Sequence, residues 1–352
     1  MKTFKITLYL LSVAIMLILS SCNKDDDNTW NGSFSNGIFI VNEGPFGTGT
    51  GTITYFNPDI NLVKQDIFEM INGRPLGNIA QSMTIHKGKG YIVLNNAGTV
   101  EVVDIDTFKS DTTISGLVNP NQFLVVDDKK AYVSDWIGHV AVVDLTTNTI
   151  SKTIPAGTGP DAMVKSGNYV FVANTGGFGV DSTITIIDFI TDKVVKTIKV
   201  GESPNAMVAD GNGRIWVMCK GIGFAGYPAA GDTPGSLIRI NQETLTVDFT
   251  YKFSSAGDHP EKLVINKQKT KLYFLHNNGI YKFNLALTNS VPEKVVSRYF
   301  YSLGYENKTG YLYASDPKDF ASNGIVLRLN EDGSVVDSIQ AGIIPRGFAF
   351  TE

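Results

Sequence analysis

The chain is poor in the residues that most often announce chemistry. Its 352 residues include only two cysteines, Cys22 and Cys219, and four histidines, His86, His139, His259 and His276. The histidines show neither metal-ligand spacing nor a paired context, so the sequence predicts no metal site. There is no Gly-x-Ser-x-Gly elbow, no P-loop and no dinucleotide fingerprint opening a helix, and the sequence predicts no catalytic residue and no cofactor. Basic charge is not in excess: 30 Lys and Arg stand against 34 Asp and Glu, a net charge of -4, which excludes a nucleic-acid partner held by phosphate contacts. A single long apolar run, Ile6 to Leu19, spans 14 residues. A membrane-spanning helix needs roughly 20.

That run follows Met1-Lys-Thr-Phe-Lys5 and leads into Leu19-Ser-Ser-Cys22, the pattern of a signal peptide over residues 1–21. The cysteine that closes it resembles the lipobox of bacterial lipoproteins, in which Cys22 becomes the lipidated N-terminus. Asn23-Lys-Asp-Asp-Asp27 is an acidic linker, and it resembles the export signal of surface-exposed lipoproteins of Bacteroidota. Residues 22–36 are therefore expected to be a lipidated, acidic tether, with the membrane touched through the lipid anchor alone. The expected location is the outer membrane, exposed at the cell surface. Removing Lys2 and Lys5 takes the formal charge from -4 to -6. Lipid on Cys22 would leave Cys219 without a disulfide partner, so a large core must hold the body together.

What is abundant is glycine, with 35 residues, beside 43% hydrophobic residues, a composition suited to short strands and tight turns. A short apolar strand with a small polar end recurs seven times: Ile38 to Asn42, Tyr91 to Asn95, Ala131 to Asp135, Val170 to Asn174, Ile215 to Cys219, Leu272 to His276 and Leu312 to Asp316. Successive copies end between 39 and 57 residues apart, around the length of a four-stranded propeller blade. A second strand follows each, as in Val100 to Asp104, Val140 to Asp144 and Ile184 to Asp188. Gly-x-x-Pro turns at Gly157, Gly201, Gly257 and Gly342, with a looser Gly116 to Pro120, punctuate the strands, because proline donates nothing to a ladder. The last strand, Pro345 to Phe350, lacks a partner after it and Ile38 lacks an inner strand before it, so the two ends complete one blade. The predicted fold is all-β, a seven-bladed β-propeller of four-stranded blades over residues 37–352, its ring closed by the C-terminal strand pairing with the N-terminal blade.

The Tyr-Val-x-Asn strand, the Val-x-Val-Val-Asp strand and the Gly-x-x-Pro turn resemble YncE-like seven-bladed propellers over residues 37–352. With the signal peptide, lipobox and acidic run, the chain resembles the BtuG-type cobalamin-binding surface lipoproteins. That resemblance implies capture of cobalamin or another corrinoid and its transfer to a TonB-dependent outer-membrane transporter, without catalysis. Two other classes stay open: a propeller enzyme of lactonase or lyase type, and a surface-layer or glycan-contact protein.

Candidate contacts fall on the face that carries the Gly-x-x-Pro connections and the longest loops. Residues just after each proline, or equivalent to them, are expected to ring the channel mouth: Gln81, Asn121, Asp161, Asn205, Glu261, Tyr301 and Arg346. Loop aromatics Phe46, Trp136, Phe178, Phe224, Tyr227 and Phe320 offer apolar area for a flat ligand. Of these, Trp136, Phe178, Phe224, Tyr227, Asn121, Asp161, Asn205, Glu261, Tyr301 and Arg346 form the predicted ligand-binding set. The face also carries carboxylates at Glu43, Asp135, Asp232 and Asp316. Asp and Asn at strand ends are expected to satisfy turn amides.

Overall fold

The computed structural model describes residues 32–47, 49–224, 229–287 and 289–351. The expected signal peptide, the lipidation of Cys22 and the acidic linker lie outside the described residues, as does Tyr227. Within the compact unit Ser33–Glu352, seven four-stranded antiparallel sheets follow one another as the blades of a propeller. Six blades use four consecutive strands each. The seventh, here blade one, takes β28 (Pro345–Phe350) as its inner strand beside β1 (Ile38–Asn42).

Burial along each blade explains why the repeat was legible. Second strands such as β1, β9 (Lys130–Asp135) and β13 (Tyr169–Asn174) are buried on both faces, because neighbouring blades cover them on either side. They therefore read as unbroken apolar runs rather than alternating ones. The outer strands β11 (Thr149–Pro155) and β15 (Lys193–Lys199) are mostly exposed and carry Thr and Lys. The core lies between blades: Tyr91 of blade two stacks on Phe123 of blade three, centroids 4.3 Å apart at 9°, among Val100, Val102 and Val133. Polar stitches join blades on the far side of this core. Asp192 of blade four accepts from Tyr132 and pairs with Lys130, both of blade three, and Glu331 of blade seven takes Lys271 at 2.8 Å and Tyr273 at 3.0 Å from blade six.

Ring closure follows the expected pairing. Ile38 lies opposite Phe350 and Ile40 opposite Phe348, and Thr351 Oγ1 accepts the Gly37 amide at 2.8 Å. The extra length between the first two repeats holds α1 (Ile67–Asn72), which buries Ile67 and Phe68. Six residues are under two helical turns and carry no period that a sequence reading resolves.

Two backbone devices position the mouth of the channel. The residue entering an inner strand is left-handed in four blades, at Ile79, Gly159, Ser203 and Ile344, although only one of these is glycine. Just inside the strand, the register slips at Gln81, between Pro120 and Phe123, between Pro160 and Met163, at Asn205, between Glu261 and Val264, and at Arg346. A β-bulge bends its strand and re-aims the extra side chain. In six of the seven blades, that extra residue or pair sits at the start of the inner strand.

Candidate functional site

The bulges make a ring whose members differ in what they touch. Around one arc, from blade seven to blade three, the polar groups bind one another. Arg346 Nη1 donates to Tyr301 Oη at 2.9 Å and to Glu43 at 3.3 Å, and Tyr301 Oη donates to Glu43 Oε2 at 3.0 Å. With its amide oxygen turned inward, Gln81 accepts Arg346 Nη2 and Nε at 2.7 and 3.2 Å; in the opposite amide orientation its Nε2 donates instead to Asn121 Oδ1 at 2.9 Å. Asn121 is only 2% exposed, and its Nδ2 donates to the Asn119 carbonyl at 3.2 Å. Burial, outweighing the nearby guanidinium, pushes the Tyr301 hydroxyl up to about 12, so it stays a donor.

The other arc, blades four to six, faces a cavity of about 610 Å³. Its lining brings together Trp136, Asp161, Phe178, Asn205, Phe224, Glu261 and Arg346 from the predicted set. The aromatic wall is open: Phe178 is fully exposed at 100%, with its ring edge-on to Trp136 at 5.7 Å and 90°, and Phe224 is 69% exposed. Two polar atoms of this lining, Trp136 Nε1 and Asn205 Oδ1, are buried without a hydrogen-bond partner. A buried polar atom left unmatched costs about 1–3 kcal/mol.

Two basic residues complete this arc that the sequence reading missed. Lys220 Nζ pairs with Glu261 Oε1 at 2.8 Å and lies over the Phe224 ring at 4.8 Å. Burial alone would raise the Glu261 carboxyl, but Lys220, Lys262 and Arg346 together outweigh it and hold the group below its ordinary range. Lys262, one residue beyond the predicted ring member Glu261, lies in the bulge of β20 (Glu261–Ile265), between Glu261, which pairs with Leu275, and Val264, which pairs with Tyr273. Burial, and after it the Arg346 guanidinium, pull the Lys262 ammonium down to about 8. Asp161 answers in the opposite sense: enclosure raises its carboxyl, against the pull of Arg346 and Lys262. The only available signal for Lys262 was its place after Pro260, and a two-residue bulge cannot be told from a one-residue bulge in sequence.

A second cavity of about 460 Å³ adjoins the first, sharing Lys220, Phe224 and Glu261 and lined further by His259, His276 and Tyr301. His276 lies 3.4 Å from Asp258, and burial lowers its imidazole below the ordinary value, which keeps the ring neutral. Remaining candidates are dispersed. Phe46 is 86% exposed and Phe320 packs edge-on against Tyr301 at 5.5 Å. Strand-end Asp135 accepts the Val118 and Asn119 amides at 2.8 and 2.9 Å, Asp316 accepts the Lys318 amide at 2.8 Å beside its ion pair with Arg298, and Asp232 accepts the Ala229 amide at 2.7 Å, the turn-capping use expected of such residues. Among the described residues no three His, Cys, Asp or Glu side chains converge as metal ligands. Cys219 is fully buried and burial pushes its thiol up to about 12.

Comparison with known proteins supports the architecture. The sequence profile of a family described as "Domain of unknown function (DUF5074)" matches residues 36–338. No curated protein matches the chain. Among solved structures, it is similar to a quinoprotein alcohol dehydrogenase-like protein of Bacteroides thetaiotaomicron, at a TM-score of 0.69 and 16% identity over 92% of this chain and 80% of that one. It is also similar to the periplasmic gluconolactonase of Pseudomonas aeruginosa (TM-score 0.65, 12% identity, 90% and 99% coverage) and to the hydrazine synthase of Kuenenia stuttgartiensis (0.63, 16%, 76% and 88%). At such identities the likeness is one of fold.

Proposed function

This chain belongs to the family described as a domain of unknown function (DUF5074), and from that premise we propose that it is a binding protein that holds a small molecule in the cup between blades four and six. One observation carries the reading: the exposed rings of Phe178 and Phe224 line the same cavity of about 610 Å³ as the polar residues Asp161, Asn205, Glu261, Lys262 and Arg346. That volume falls within the roughly 300–1,000 Å³ of ordinary ligand sites. The blades preform the walls, so little ordering entropy is lost when a ligand arrives. The finer proposal comes from the resemblance to cobalamin-binding lipoproteins. The ligand is a corrinoid, captured without turnover at the cell surface by a protein anchored through Cys22, and passed to a TonB-dependent outer-membrane transporter. Isothermal titration with cyanocobalamin and then cobinamide tests it. Saturable heat with both supports recognition of the corrin ring and its amides, and no heat with either removes the corrinoid from the account.

A second reading has its own support. Lys262 and Asp161 are opposed titratable groups in one cavity, and a gluconolactonase shares the fold, so lactone hydrolysis at the cup is the enzymatic alternative. Hydrolysis of glucono-δ-lactone above the uncatalysed rate, lost in Asp161→Asn, would establish it.

A further inference from the structure

Lys262 is set apart from the other basic residues of the mouth. Arg346 is held by Glu43, Tyr301 and Gln81, and Lys220 by Glu261, whereas Lys262 makes no hydrogen bond or ion pair among the described residues. Its backbone is left-handed, with φ 58, inside a bulge that turns the side chain into the cavity. A lysine gains nothing from that conformation by itself, so the surrounding strands impose it. The charged groups that face it come from five blades: Arg346 and Glu43 from blade one, Asp161 from blade four, Lys220 from blade five, Glu261 from its own strand, and the Tyr301 ring from blade seven at 6.0 Å. Enclosure together with a neighbouring cation is the arrangement that turns a lysine into a nucleophile.

We propose that Lys262 is a reactive amine that takes up small planar carbonyl compounds as imines at the floor of the cup. The aromatic wall of Trp136, Phe178 and Phe224 selects a flat, apolar body for the carbonyl compound. In the first step the amine nitrogen bonds to the carbonyl carbon and the C=O electron pair moves to oxygen, with the nitrogen's proton passing to that oxygen. The resulting hydroxyl leaves as water after taking a proton from the Asp161 carboxyl, and the nitrogen lone pair closes the C=N bond. The iminium nitrogen then returns its proton to Asp161. The sum is amine plus carbonyl giving imine plus water, with no change of oxidation state. Asp161 suits the proton-carrying part because it lines the same cavity as Lys262 and its carboxyl makes no hydrogen bond among the described residues, and enclosure shifts that carboxyl upward.

The test is labelling of the protein with benzaldehyde and sodium cyanoborohydride, which reduces only the imine, followed by peptide mapping. An ordinary lysine titrates near 10.4, so at the pH where Lys262 is half deprotonated, about 8, it should be labelled at least about tenfold faster than any surface lysine. Its rate should fall with a midpoint near that pH as the solution is acidified, and Asp161→Asn should slow it. Labelling of Lys262 no faster than surface lysines, or without that midpoint, overturns the inference. The mapping is done on the unaltered protein, so no variant need fold. It also stands apart from corrinoid capture, which titration with cobinamide reports: a negative titration with fast labelling leaves this inference intact, and the reverse result removes it alone.

Discussion

From blade seven round to blade three, the residues at the channel mouth are bonded to each other, while from blade four to blade six equivalent positions open onto a cavity with Lys262, Asp161 and Asn205 Oδ1 unmatched. Both arcs are built by the same device, a bulge at the start of the inner strand. What separates them is whether a neighbour lies within reach. Arg346 can serve Glu43, Tyr301 and Gln81 at once because β28 closes the ring there and brings blade one between its two neighbours. The tied arc therefore holds the closure of the ring, and the open arc is left for a ligand.

The sharpest way to break the comparison is to cut the tied arc. Arg346→Ala leaves the half-buried Glu43 without its cation, and losing a hydrogen bond between charged groups costs about 1.5–3 kcal/mol. Urea unfolding should report a loss of that order. In the open arc the effect should move from stability to binding: Phe178→Ala, at a fully exposed ring, should change stability by no more than about 0.5 kcal/mol. The same change should weaken ligand binding by about 1–2 kcal/mol, roughly tenfold, as for a buried aromatic anchor. Lys262→Met should raise stability by about 1–3 kcal/mol, since an enclosed charge without a partner is replaced by an apolar chain.

The same lysine gives a pH test. Its proton is held less tightly in the folded state than in the unfolded chain, so between about pH 8 and the ordinary lysine value of about 10.4 the unfolded state binds more protons. Lys262 therefore makes stability rise with pH across that window, and Lys262→Met should flatten this slope in thermal melts. The smallest effect is expected at Phe46, exposed and outside both cavity linings. Phe46→Ser should leave stability within about 0.5 kcal/mol and leave binding unchanged.

Much of the fold is legible because buried second strands such as Val170 to Asn174 carry unbroken apolar runs, and because Gly-x-x-Pro turns mark where each inner strand begins. The helix at Ile67–Asn72 is not, since its burial of Ile67 and Phe68 is decided by the two blades it fills between. At the mouth, Asn121, Asp161, Asn205 and Arg346 follow directly on a proline and Gln81 stands at the equivalent position, and the structure puts each of them at a bulge. Which of them are tied could not be read, because the pairing of Tyr301 with Glu43 joins positions 258 residues apart. Lys220 and Lys262 escaped for a related reason: loop length and bulge width set where their side chains go, and neither leaves a residue pattern.

The central claim is that the open arc, and not the tied one, holds the ligand. Cobinamide titrated into the protein, into Phe178→Ala and into Gln81→Ala tests it in one series. We expect saturable binding that weakens about tenfold in Phe178→Ala and stays within about twofold in Gln81→Ala. Absence of binding in the unaltered protein, or a loss that follows Gln81 rather than Phe178, would contradict it.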